Sequence, residues 1–278
     1  MKWKEKMINI SVLMSVYYKE KPSYLKESIQ SIINQTLQPN QIVIIKDGKL
    51  GKELEDILKE FKNKYTNLID IYPLKENKGL GSALRYGVQK CKYEYIARMD
   101  TDDIAPLNRL EEQSKILNNS DIDILGGYIE ECDENMKNVI SIRKVPLESE
   151  EIKKYAKYQS PFNHGTVIIK KETLIKIGNY KPNIELEDYE LWSRMIINNC
   201  KMKNIDKILG KFRTSKDMYK RRNGRKQIKK IIQIENILLD YKIINIFQYI
   251  YNILIRSILA ITPVGIKKEI YKIIRRTT

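Results

Sequence analysis

Three aspartates fall within four positions, Asp100-Thr101-Asp102-Asp103, directly after the apolar run Tyr95 to Met99. Like charges this dense at a strand end repel one another at neutral pH unless a cation or a network of donors offsets them. Hard carboxylate oxygens suit Mg2+ or Mn2+, with substrate phosphates completing the coordination shell. Residue type alone leaves open a plain polar turn, with Asp103 capping a helix that starts near Pro106. Arg98 stands two positions before Asp100 and so shares its face of the strand, where a guanidinium can compensate the aspartates or meet phosphate. A second acidic pair, Glu187-Asp188, precedes the helix-spaced Leu191 and Met195. It reads either as a general base or as acids favoured in a first helical turn. His164, the single histidine, is by type more often a hydrogen-bonded structural group than a catalyst.

The elements that must position these residues follow from periodicity. Strand-length apolar runs, Ile10 to Ser15, Ile42 to Ile45, Leu68 to Tyr72 and Tyr95 to Met99, alternate with helix-spaced segments around Leu25 and Ile29, Leu54 and Leu58, and Leu84 and Val88. Alternation of this kind predicts an α/β fold with a mostly parallel sheet flanked by helices. Further strands are expected at Ile122 to Gly126, Val139 to Arg143 and Val167 to Ile169, and helices near Leu107 to Leu117 and Leu191 to Ile197. Ligands of open α/β sheets bind beyond the carboxyl ends of the strands. There the chain carries Val16-Tyr17-Tyr18-Lys19-Glu20, Lys46-Asp47-Gly48, Glu76-Asn77-Lys78-Gly79 and the aspartate cluster. Four successive loops line one cleft.

Charge divides the 278 residues unevenly. From Lys201 onward there are 20 basic and 5 acidic residues, against 31 and 30 before it, so a nearly neutral body precedes a cationic tail. Cys91, Cys132 and Cys200 have no C-x-x-C spacing, which supports neither a disulfide framework nor a zinc site and fits a reducing compartment. No G-x-x-x-x-G-K-[ST] occurs, and Gly79-Leu80-Gly81 lacks the third glycine of G-x-G-x-x-G. The run Ile8 to Tyr17 after Lys2, Lys4 and Lys6 reads as a buried first strand rather than a cleaved leader. No stretch reaches the roughly 18 uninterrupted apolar residues of a spanning helix.

Five strings, SVYYKEKPSYLKESIQSIINQTLQPNQIVIIKDG, ENKGLGSAL, YIARMDTDD, NHGTVIIKK and EDYELWSRM, occur in the order and at the spacing of glycosyltransferase family 2. The chain resembles that family, and within it the bacterial lipid-linked oligosaccharide β-1,3-galactosyltransferases of O-antigen assembly. The resemblance implies a GT-A catalytic domain over residues 1–215 and inverting, metal-dependent transfer of one sugar, galactose first, from a UDP-sugar to a polyprenyl-diphosphate-linked saccharide. It implies Mn2+ or Mg2+ on Asp102, with Asp100 and Asp103 alongside and Asp100 nearer the ribose. It further implies Asp188 as catalytic base, supported by Glu187, His164 and Trp192, the last stacking on a sugar or filling core. Nucleotide-sugar contacts fall to Val16, Tyr18, Glu20, Asp47 at uracil, Lys78, Gly79, Arg98 and Asp100, with Arg213, Arg221 and Arg222 as a diphosphate clamp. Departures are Lys46-Asp47-Gly48-Lys49 where DDGS is common, Tyr18 for asparagine, and Arg85 for asparagine. The absence of Q-x-x-R-W points to single addition rather than polymerisation.

The tail, residues 216–278, spaces isoleucine and leucine at helical intervals between lysines and arginines. It reads as helices packed on the catalytic body or, preferred, as helices in the interface of an anionic membrane, at its cytoplasmic face. A nucleic-acid partner is not expected, because the tail has no recognisable binding motif and a long apolar segment. A sugar nucleotidyltransferase would carry a glycine-rich loop after the first strand, and Tyr17 to Pro22 has no glycine.

Overall fold

Alternation along the strands divides their side chains between two cores. In β1 (Ile10–Val16) Val12 and Met14 join one core and Leu13 the other; in β2 (Gln41–Lys46) Ile42 and Ile44 part from Val43 and Ile45 in the same way. All seven are at most 1% exposed, as strands covered on both faces require.

The computed structural model describes residues 8–214 and 224–263. After β1 come α1 (Pro22–Ile33), β2, α2 (Lys52–Lys64), β3 (Ile69–Pro73), α3 (Leu80–Lys90), β4 (Tyr95–Arg98) and α4 (Arg109–Asn118). Then follow β5 (Ile124–Cys132), β6 (Val139–Arg143), α5 (Ser149–Tyr155), β7 (Ile168–Lys170), α6 (Lys171–Lys176), α7 (Glu187–Ile197) and β8 (Met202–Arg213). The described strands form one sheet in the order β3-β2-β1-β4-β7-β5-β6, with β8 also paired to β5. The four strands β3, β2, β1 and β4 are parallel, β7 is antiparallel to both β4 and β5, and β8 runs parallel to β5. Helices α1, α2 and α4 cover one face, and α3, α5, α6 and α7 the other. The parallel half therefore directs the ends of β1, β2 and β4 toward one rim, where the polar loops lie.

Strand β8, with α5 and α6, goes beyond the sequence expectation. Its Lys203, Asn204, Asp206 and Lys207 break the apolar pattern, and its pairing with β5 shifts register on either side of Tyr128. Beyond β8 the chain forms a helical hairpin, α8 (Arg225–Asp240) and α9 (Ile246–Ile261). Ile234 and Leu238 of α8 pack with Tyr189 of α7 and Ile244, so this part of the tail docks on the catalytic body. Packing on the catalytic body is one of the two placements that the sequence leaves open for the tail, and α8 takes it.

Candidate active site

The acidic loop begins where β4 ends. Asp100, Asp102 and Asp103 each offer a carboxylate oxygen, and these atoms lie within 4.8 Å of one another. Glu20, from the loop after β1, joins them: its Oε2 accepts from Thr101 Oγ1 at 2.6 Å and its Oε1 from the Lys21 N–H at 2.9 Å. Burial raises the pKa of Glu20, and burial with the neighbouring Asp100 and Glu20 pushes Asp102 up to about 7. Burial and the adjacent aspartates also raise Asp103. Asp103 is no helix cap, contrary to the polar-turn alternative: its Oδ1 accepts from the Arg213 N–H at 2.9 Å, and α4 starts only at Arg109. Clustered hard oxygens that repel one another and are drawn from water fit Mg2+ or Mn2+.

Arg98 compensates the loop from within. It is 3% exposed and ion-pairs with Asp100, and its charge also acts on Asp102, Asp103, Glu187 and Asp188. Behind it lies Arg109, which periodicity did not single out. Fully buried, Arg109 donates through Nη2 to the Arg98 carbonyl at 2.8 Å and through Nε to Gln113 Oε1 at 3.2 Å. Gln113 in turn donates to the carbonyls of Leu125 and Thr166 at 3.1 and 2.9 Å. These bonds tie α4 to β4, β5 and the short turn His164–Thr166. Burial, then the Arg98 charge, lowers the Arg109 pKa to about 9.

His164 opens this turn, whose next residue approaches the acidic loop: a Cβ on Gly165 would stand 3.4 Å from Asp100 Oδ2. The His164 Nε2 is 2.9 Å from the Tyr180 hydroxyl. Burial, with the Arg98 charge, holds its pKa well below the ordinary histidine value, so the ring is neutral at neutral pH. Trp192 is fully buried, its ring 5.2 Å from Phe162 and 5.8 Å from His164. Of its two sequence readings the structure selects core, because no ring face is open to a ligand.

Glu187 and Asp188 open α7. Burial raises both, Glu187 to about 7 with the Asp188 charge adding to the effect. Glu190, one turn on, is fully buried and accepts from Arg194 Nε and Nη2, both at 2.7 Å. Lys181 Nζ at 3.1 Å and the Tyr241 hydroxyl at 3.0 Å complete this anchor. The Glu190-Arg194 spacing of four residues signals a helical pair, but the sequence does not show that its other partners come from Lys181 and Tyr241.

The loop before α3 is held by Asp47. Its Oδ1 accepts from the Lys78 N–H at 2.7 Å and its Oδ2 from the Gly79 N–H at 3.0 Å. Gly79 has φ of 82°, a conformation that favours glycine. At Gly81, a Cβ would meet the Lys181 carbonyl at 2.9 Å and Glu187 Cβ at 3.2 Å, so the loop abuts the start of α7. Arg85 secures the same junction, donating through Nη1 to the carbonyls of Gly178 and Tyr180 at 2.8 and 2.9 Å.

The remaining expected ligands are placed less alike. Tyr18 is 56% exposed at the rim, whereas the Val16 side chain is buried and its carbonyl accepts from the Asp47 N–H at 2.8 Å. Arg213 is turned inward: Nε donates to the Asp102 carbonyl at 2.7 Å, Nη1 to the Glu134 carbonyl at 2.7 Å, and Nη2 pairs with Glu27. In this structure it fastens the acidic loop to β8 rather than opening to a diphosphate. Arg221 and Arg222 lie outside the described residues.

Residues 11–178 match the family model for glycosyl transferase family 2. The chain belongs to this family and is a glycosyltransferase of the GT-A fold. It is 36% identical over 268 residues to the UDP-Gal:alpha-D-GlcNAc-diphosphoundecaprenol beta-1,3-galactosyltransferase of Escherichia coli, covering 96% of each chain. It is 33% identical to the amylovoran biosynthesis glycosyltransferase AmsE of Erwinia amylovora, covering 94% of this chain and 97% of that one. Among solved structures, S. aureus TarS 1-349 aligns with a TM-score of 0.63 at 18% identity, over 90% of this chain and 71% of that chain. The mannosyltransferase PcManGT of Pyrobaculum calidifontis, in complex with GDP-Man and Mn2+, aligns with a TM-score of 0.64 at 12% identity, over 90% and 69%.

Proposed function

We propose that this glycosyltransferase moves a single galactose from UDP-galactose, with inversion, to a polyprenyl-diphosphate-linked N-acetylhexosamine at the cytoplasmic face of a membrane, in surface polysaccharide assembly. The observation that supports the reading is the cluster of Asp100, Asp102 and Asp103, ion-paired through Asp100 to the buried Arg98. Glu187 and Asp188 open α7 against the glycine loop before α3, where a Cβ on Gly81 would meet Glu187 Cβ at 3.2 Å. The donor and acceptor classes rest on the similarity to the E. coli enzyme along nearly the whole chain.

Asp102, with Asp100 and Asp103 beside it, would hold Mg2+ or Mn2+. When bound, the ion supplies positive charge for the departing diphosphate. The chain's own groups do the rest. Asp47 fixes the Lys78-Gly79 backbone and with it the floor of the nucleoside pocket. Asp188 accepts the proton from the acceptor hydroxyl as that oxygen bonds to the anomeric carbon and the bond to UDP breaks. A base raised above the usual carboxylate range is better matched to this transfer near neutral pH. Glu187 shares the burial, and the Asp188 charge beside it favours its protonated form. The neutral His164 ring is oriented by its hydrogen bond with Tyr180 and can donate or accept one further hydrogen bond.

The test is product analysis. Radiolabelled UDP-galactose and a polyprenyl-diphosphate N-acetylglucosamine should yield one organic-extractable disaccharide lipid with a β linkage by NMR. An α linkage, or a ladder of longer products, would overturn the inverting or the single-addition part of the reading.

A further inference from the structure

The last described helix is inside out. In a helix on the surface of a protein, the apolar stripe ordinarily faces the core and polar residues face water. In α9 the two fully buried residues, Asn252 and Ala260, are polar or small, while Tyr249, Ile253 and Leu259 are only half-buried: Asn252 donates to the Lys157 carbonyl at 2.7 Å and to Glu235 Oε2 at 2.9 Å. Arg256, the one charged residue of α9, turns in to pair with Glu235, and Ala260 closes the same face. The opposite stripe is apolar and open. Phe247 is 80% exposed, and Ile250, Tyr251, Leu254, Ile258 and Ile261 are each at least half exposed. Their spacing of three and four residues makes one continuous band along a helix roughly 24 Å long. A contiguous exposed band of this kind marks a surface built to meet something.

The geometry points to a lipid bilayer as that partner, with α9 lying flat in the interface of an anionic membrane. This deepens the membrane component of the proposed function and rests on that reading for its acceptor. Charge decides between the candidate occupants. The band itself carries no residue charged at neutral pH, while Arg225, Lys226, Lys229 and Lys242 of the same hairpin are exposed, in a chain whose residues after 200 include 20 basic and 5 acidic ones. Such an array repels a second copy of itself and attracts acidic head groups, each basic residue near the surface adding about 1 kcal/mol. No helix among the described residues is long and apolar enough to cross a membrane. An apolar face on a hairpin that also exposes cations lies in the interface instead. The hairpin also couples to the site: Tyr241, directly after α8, donates through its hydroxyl to Glu190, two residues after Asp188 on α7. Docking α9 therefore fixes the catalytic rim relative to the bilayer that holds the acceptor.

The experiment is co-sedimentation of the full chain with vesicles of phosphatidylcholine and phosphatidylglycerol, alongside the triple variant Phe247→Glu/Leu254→Glu/Ile258→Glu. All three positions are solvent-exposed, and circular dichroism with UDP binding checks that the variant is folded and its donor site intact. The bound fraction should fall at least about tenfold in the variant, from lost apolar burial, and wild-type binding should weaken on pure phosphatidylcholine. A Phe247→Trp variant should show blue-shifted emission on adding anionic vesicles. Undiminished sedimentation of the triple variant would place membrane binding elsewhere and overturn the inference. So would a wild-type dimer that the triple variant dissolves, with no vesicle binding by either. Vesicle binding without UDP binding would leave α9 standing and count against the proposed function instead.

Discussion

Arg98 ion-pairs with Asp100 at the point where β4 becomes the acidic loop, placing a buried guanidinium beneath three clustered aspartates. Removing it leaves those carboxylates with each other. Arg98→Met should destabilise the metal-free protein by about 3 kcal/mol, as loss of one partner of a buried pair does. Urea denaturation checks this, and Mn2+ should restore part of the loss. Arg98→Lys keeps the charge but not the fork and should fall between the two. Equal stability for Arg98→Met and wild type would mean that the pair does not hold the loop.

The aspartates themselves are predicted to oppose folding. Asp102 has its pKa raised in the folded state, so the fold binds a proton that the unfolded chain has released. Between the ordinary carboxylate range, near pH 4, and about 7, its contribution to stability therefore falls as pH rises. Metal-free Asp102→Asn should consequently melt higher than wild type at pH 7.5, by roughly 2–4 °C for each kcal/mol relieved, and the difference should shrink at pH 5. The same variant should lose the Mn2+-induced rise in Tm. A lower melting temperature at pH 7.5 would show that Asp102 supports the fold.

Asp188→Asn separates chemistry from binding. Loss of a positioned base costs about 10²–10⁴-fold in rate, so transfer should fall by that factor while UDP affinity, measured by calorimetry, stays within about threefold. A matching loss of UDP affinity would make Asp188 a binding or folding residue.

Glu190 should behave as an anchor for α7. Its pKa is held below the ordinary value: burial acts to raise it, but the bonds from Arg194 and Lys181 outweigh that. The stability it contributes is thus present above its unfolded pKa and lost as pH falls through the depressed folded value. Glu190→Gln should cost roughly 3–5 kcal/mol near neutral pH. The gap between variant and wild-type Tm should narrow below about pH 4. A pH-independent gap would assign the cost to packing.

The parallel half of the sheet was legible because β1, β2 and β4 are short apolar runs punctuated by polar loops. Asp100 and Arg98 were likewise placed on one face by alternation alone. Strand β8 was hidden by its own lysines and by the register shifts opposite Tyr128, which break any period of two. Trp192 illustrates a different limit: one-turn spacing from Asp188 put it near the site, but only packing against Phe162 and His164 shows that the ring is core. Gln113 and Arg194 stand at helical spacing from Arg109 and Glu190, but the partners that give the two residues their place, the Arg98 carbonyl and the Lys181 and Tyr241 side chains, are distant in sequence. The inverted α9 was read as amphipathic, yet which face turns inward depends on Glu235 and the Lys157 carbonyl.

The central claim is that the acidic loop and the start of α7 form one transfer site. Its most direct test is UDP release in the presence of Mn2+, across UDP-galactose, UDP-glucose and the two UDP-N-acetylhexosamines, with and without a polyprenyl-diphosphate N-acetylglucosamine. Asp102→Ala and Asp188→Asn are run in parallel. Acceptor-dependent release is expected with UDP-galactose, and both substitutions should abolish it. Release that is indifferent to acceptor, or that survives either substitution, would contradict the claim.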